Sequence, residues 1–92
     1  MDIRDLELKH RLDKRTIQNH IQELREEIHW YAPKNGKRIV LNEIEAETYD
    51  IFLAVWKTYG EKQFGLDAAR EYFYAKTFKL SETIHTKVAS VN

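Results

Sequence analysis

The sequence predicts a mostly α-helical winged helix-turn-helix, with a two-stranded β-hairpin wing followed by two or three C-terminal helices. Three observations predict it. Leu12 to Leu24 holds a capping acid and then an apolar stripe at helical spacing. Ile28 to Leu41 holds two strand-favouring runs around Pro33-Lys34-Asn35-Gly36-Lys37. From Asn42 onward, aromatic and aliphatic residues recur at helical spacing, interrupted near Gly60 and Gly65.

The first helix is expected over Ile3–Arg11, with Leu6 and Leu8 as core candidates and no helix ahead of it. Asp13 suits a helix N-cap, because its carboxylate accepts from free backbone N–H groups of the first turn. The second helix, Asp13 to Glu27, places Ile17, Ile21, Leu24 and Ile28 on one stripe. At about 100° per residue, Arg15, Gln18, Asn19 and Gln22 fall towards the opposite side. Ile28-His29-Trp30-Tyr31 and Arg38-Ile39-Val40-Leu41 are rich in residues that favour strands. Asn35 and Gly36 between them tolerate positive φ, which suits a hairpin turn. A third helix begins at Asn42, with Glu43, Glu45 and Glu47 as a solvated acidic start that complements the helix dipole. Its main stripe is Tyr49, Phe52, Trp56 and Tyr59, read as core or dimer seam. Ile51, Leu53 and Val55 widen that face, so the helix must bury more than one side. Gly60 to Gly65 reads as a loop. Asp67 caps a fourth helix through Lys79, with Leu66, Ala69, Phe73, Tyr72 and Lys76 facing inward. Ser81 caps a last short helix with Ile84, Val88 and Val91 on one face. Residues 1–42 thus form the helix-turn-helix and wing, and 43–92 a helical support and dimerisation region of the same compact domain.

Composition bounds the function. The chain has 92 residues, 33% charged and 42% hydrophobic, with two Trp, five Tyr and four Phe. That suits one soluble domain with an adequate core. No apolar run approaches the roughly 18 residues that span a membrane, and the first residues are no signal peptide. The absence of Cys excludes disulfides and thiolate metal sites and fits a cytoplasmic location. The formal net charge of +0 argues mildly against nucleic acid. Its distribution softens this: Lys9, Arg11, Lys14 and Arg15 face a single Asp13 between Lys9 and His20, and Lys34, Lys37 and Arg38 lie in an acid-free stretch. One basic and one acidic face are expected.

Arg, Gln and Asn match guanine and adenine edges through paired donors and acceptors. Arg15, Gln18, Asn19 and Gln22 are therefore the candidate base readers. Lys14, Lys34, Lys37 and Arg38 are candidates for the phosphate backbone. The bland readings are a solvated helix face and a soluble hairpin tip, and the proximity of the two features favours DNA. The aromatic stripe at helical spacing is core before it is a base-stacking platform. His10, His20, His29 and His85 have no metal-ligand spacing, so no metal is expected. Neither a Gly-rich phosphate loop nor a nucleophile–base set is present, and no enzyme or cofactor is expected.

The order of helix-turn-helix, wing and further helices resembles the MerR-like winged-helix group, which includes phage excisionases and terminase small subunits. Arg15-Thr16-Ile17-Gln18-Asn19 in the reader helix and Asn35-Gly36-Lys37-Arg38-Ile39-Val40 in the wing carry the resemblance, over about Ile3 to Phe52. It departs where Glu7 replaces a small residue, where Arg11 replaces the turn Gly, and where Ile17-Gln18-Asn19-His20 follows Thr16. The resemblance implies that Thr16 lies near a phosphate and that Arg38 anchors the wing. It implies a sequence-specific duplex-DNA-binding regulator or phage or plasmid accessory factor, acting as a homodimer. The alternative is a winged-helix protein-interaction or oligomerisation module without DNA binding.

Overall fold

A computed structural model describes the backbone of residues 1–33 and 38–90, with side chains through Phe78. Four helices make it up: α1 Ile3–His10, α2 Lys14–Glu27, α3 Glu43–Tyr59 and α4 Lys62–Ser90.

Local chemistry sets the helix boundaries. Asp2 starts α1 with a reciprocal capping box to Asp5. Arg11 ends it in the left-handed region (φ 55°, ψ 41°), its N–H donating to the Glu7 carbonyl. Asp13 caps α2 by accepting from the Thr16 N–H at 2.8 Å. Asn42 and Glu45 form the capping box of α3, and Gly60 (φ 73°) closes that helix. Gly60 and Glu61 then turn the chain directly into α4, so α3 and α4 lie antiparallel with Glu47 beside Tyr72. Their contact is the most extensive between helices.

Ile17, Ile21, Leu24 and Ile28 are fully buried, as their spacing predicts, together with Leu6, Tyr31, Leu41, Tyr49, Phe52 and Ala69. Leu66 and Phe73 join this core from α4, whereas Tyr72 is half-buried and Lys76 exposed. Leu8 points to solvent at 77% exposure, so α1 contributes Leu6 alone among its fully buried side chains. Ion pairs tie the edges: Lys62 to Glu23 (2.9 Å), Arg70 to Glu27, and Lys9 to Asp50 (2.7 Å), with His10 Nε2 2.9 Å from the other Asp50 oxygen.

The wing is corrected: no β-strand occurs among the described residues, and the fold there is all-helical. Lys34 to Lys37, the expected tip, lie outside the described residues. The expected first arm fails for a backbone reason. Trp30 (φ 65°) and Ala32 (φ 44°) are both left-handed, so the chain bends twice where a strand stays extended. Its polar groups go to helices instead of a ladder. The Ala32 N–H donates to Glu45 Oε2 at 2.7 Å, and the Ala32 carbonyl accepts from Arg25 at 2.9 and 2.7 Å. The Tyr31 hydroxyl donates to the Glu45 carbonyl at 2.7 Å. The expected second arm pairs with the chain start: Asp2 and Val40 form an isolated antiparallel bridge. The Leu41 N–H donates to the Met1 carbonyl at 2.6 Å, and the Met1 nitrogen donates back at 2.7 Å.

The C-terminal half is also simpler than expected. Gly65 lies inside α4, not in a loop, and the helix begins at Lys62, five residues before Asp67. It runs unbroken past Ser81, so no separate last helix forms. Gly65 permits the close approach of α3. An added Cβ would stand 2.5 Å from the Phe52 carbonyl oxygen and 3.1 Å from the Trp56 Cβ.

Candidate nucleic-acid interface

The surface is built on the α1–α2 pair. A tight turn at Arg11 reverses the chain, and Asp13 starts α2. The Asp13 carboxylate accepts from the Thr16 N–H, and the Thr16 side chain and N–H beside it lower its pKa below the ordinary carboxylate value. Fourteen residues make α2 about 21 Å long at 1.5 Å per residue, a rod that fits a DNA major groove.

The two sides of α2 separate cleanly. Its inner side buries Ile17, His20, Ile21 and Leu24. On its outer side Lys14, Arg15, Gln18, Asn19 and Gln22 are all exposed. Among the described residues, none of these five side chains is engaged in an intramolecular hydrogen bond. Their donors and acceptors face water.

Lys14 and Gln18 also border a concavity of about 480 Å³, whose other walls are Asp2, Ile3, Arg4, Glu7, Arg38 and Ile39. The structure therefore brings Arg38 to the α2 face without a hairpin. It does so by pinning Leu41 and Val40 to Met1 and Asp2. Arg4 is an addition that sequence reasoning missed. Its position on the first turn of α1 is readable from helical spacing, but the backbone pairing that sets Arg38 opposite is not. Three cations, Arg4, Lys14 and Arg38, thus meet two acids. One of these, Asp2, accepts from the Asp5 N–H at 2.9 Å. Lys34 and Lys37 lie outside the described residues.

No protein-family model, curated protein or solved structure matches this chain. What the surface can do follows from its own geometry.

Other predicted positions fall elsewhere. Thr16 is half-buried and lines a different cleft of about 790 Å³, between the α1–α2 turn and α3, with His10, His20, Asp50 and Trp56. Its place there sets it apart from the exposed outer face. Tyr49 and Phe52 are core residues, Trp56 is half-buried, and Tyr59 is exposed beside Phe64. His20 Nδ1 meets the Tyr49 hydroxyl at 2.9 Å, and its ring stands edge-on to Phe52 and Trp56. Burial holds the His20 pKa below its ordinary value, helped by Lys62 and opposed by Glu23. Burial also raises the Tyr31 and Tyr49 pKa values, so both hydroxyls stay protonated. The acidic start of α3 is not uniformly solvated: Glu45 is buried, and its two carboxylate oxygens bond the Asn42 and Ala32 N–H groups. Among the described residues no group of three or more His, Asp or Glu side chains could hold a metal ion. No described helix is long and apolar enough to cross a membrane.

Proposed function

We propose that the chain binds double-stranded DNA in a sequence-specific manner, through a wingless helix-turn-helix. The outer face of α2 enters the major groove, and the Arg4–Lys14–Arg38 concavity takes the neighbouring phosphates. One observation carries this reading: Arg15, Gln18, Asn19 and Gln22 form a single exposed face whose hydrogen-bonding groups are not spent on any of the described residues. A side chain left unpaired on a helix gives up no intramolecular hydrogen bond when it meets a base edge, although its rotamers must still be ordered on binding. The phosphate contacts set position and the base contacts set sequence preference. The cations at Arg4 and Arg38 supply local positive charge despite the formal net charge of +0.

The test is fluorescence anisotropy with random-sequence duplex at about 50 and 200 mM salt, where affinity tracks counterion release. Three phosphate contacts give a log–log salt slope of about −2.7, or roughly a 40-fold loss across that range. Binding with that dependence, weakened and with a salt slope shallower by about 2 in Arg4→Ala/Arg38→Ala, supports the proposal. A folded protein that ignores duplex at both salts refutes it.

A further inference from the structure

A second surface lies between the α2–α3 connection and α4. It is a groove of about 450 Å³ lined by His29, Trp30, Phe73, Tyr74, Thr77 and Phe78. Its rims are aromatic and wet: Trp30 is 86% exposed and Phe78 66%. Its two walls are tied together, because the His29 N–H donates to the Tyr74 hydroxyl at 3.1 Å. Trp30 is presented from a left-handed backbone (φ 65°), a conformation that a bulky residue adopts only against steric strain. Nothing within the described fold covers the indole in return.

The length of α4 suggests the occupant. Tyr72 beside Glu47 and Gly65 beside Phe52 fix the antiparallel register. By that register the first residue of α3, Glu43, lies level with about Lys76. Phe78 therefore sits where α4 leaves α3 behind, and the α4 backbone continues to Ser90 for about 18 Å more. In the sequence, the spacing of the buried Leu66, Ala69 and Phe73 repeats at Thr77, Leu80 and Ile84, then Val88.

From this we infer that the groove is a homodimer interface, covered by the same groove of a second copy. A two-fold axis crossing α4 near Thr77 lets each Phe78 close the groove of the other protomer against Trp30 and Tyr74. Such an isologous contact needs only one self-complementary patch. The area is adequate. Taking about 150 Å² for each aromatic side chain, Trp30 and Phe78 of two copies bury roughly 600 Å², more than half of the ~1,000 Å² a specific interface needs. His29, Tyr74 and Thr77, all exposed along the same groove, supply the remainder. Net charge of +0 leaves no overall repulsion between copies. The inference stands apart from DNA binding, since the groove shares no residue with the proposed reader face.

Sedimentation velocity of the full chain from about 1 to 200 µM tests it, beside Phe78→Glu and Trp30→Ala, a range that brackets micromolar association. The expected result is a monomer–dimer transition with a blue-shifted tryptophan emission. Phe78→Glu should stay monomeric throughout with an unchanged helical circular dichroism spectrum, and Trp30→Ala should raise the dimer dissociation constant at least about tenfold. Both side chains are exposed, so neither change should impair folding. A wild-type chain that stays monomeric at the highest concentration overturns the inference. So does a Phe78→Glu protein that dimerises like wild type, or a monomer whose tryptophan emission responds only to single-stranded nucleic acid. Duplex affinity of monomeric Phe78→Glu for a single half-site, if retained, separates this surface from the reader face.

Discussion

Two sets of polar side chains in the first half of the molecule meet opposite fates. Arg25 and Glu45 point inward and are consumed by one short segment: Arg25 takes the Ala32 carbonyl, and Glu45 takes the Ala32 and Asn42 N–H groups. Arg15, Gln18, Asn19 and Gln22, on the outer side of α2, stay exposed. The difference comes from the backbone. The connection after α2 is buried at Tyr31 and Ala32 but has no strand partner there, so side chains must satisfy its peptide groups. The outer face of α2 has no such debt, because the helix satisfies its own backbone. Residue type alone marks neither role: one arginine is a latch and the other is available to a ligand.

The largest effect that can break this contrast is Glu45→Ala. It leaves the Ala32 and Asn42 N–H groups without partners, and a buried donor left unsatisfied costs about 1–3 kcal/mol. Urea unfolding should show a loss of roughly 2–4 kcal/mol, with Asn42 counted as partly solvated. A loss below about 1 kcal/mol would mean that water replaces the carboxylate, and the latch would be no latch. Arg15→Ala should do the reverse. Its stability should stay within about 0.5 kcal/mol of wild type. Its duplex affinity should drop by about 1–3 kcal/mol, and only for sequences carrying one particular base pair. An equal loss on every sequence would remove Arg15 from base reading.

Arg38→Ala sharpens the contrast within the proposed interface. Arg38 is exposed and borders the same concavity as Lys14 and Gln18. A phosphate contact there predicts weaker binding to all sequences and a salt slope shallower by about 1. An unchanged slope would confine the interface to α2.

The parts legible in the sequence are those governed by local periodicity and capping. The inner stripe of α2, the cap at Asp13, and the start of the third helix at Asn42 all follow from contacts a few residues apart. What was not legible depends on contacts distant in sequence. Ile28 to Tyr31 has strand-favouring side chains, but arms of a hairpin need each other, and Leu41 is held by Met1 instead. Glu45 sits among acids that look like a solvated helix start, and only the fold of the connection buries it. Gly65 reads as a breaker because a glycine signals either a turn or a close approach, and only the position of Phe52 decides between them. Without a hairpin, the link from the α2 face to Arg38 had no sequence signal at all.

The smallest expected effect concerns a third polar position on α2, on its inner side. His20 is buried against Tyr49, Phe52 and Trp56, and burial holds its pKa below the ordinary value of 6.5. As pH falls through 6.5, the unfolded chain takes up a proton that the folded chain refuses. Stability that is complete above 6.5 is therefore lost below it, until the folded-state pKa is reached and the loss stops. Glu23 and Lys62 are the charges acting on the ring, and their opposed effects leave burial as the leading cause. Thermal unfolding at a series of pH values should show wild type losing stability between neutrality and mild acid. His20→Gln should lack that step while keeping the steeper loss at lower pH that belongs to the carboxylates. If both proteins fall together through pH 6, the imidazole is hydrated in the folded state, and the inner side of α2 is less sealed from water than its burial implies.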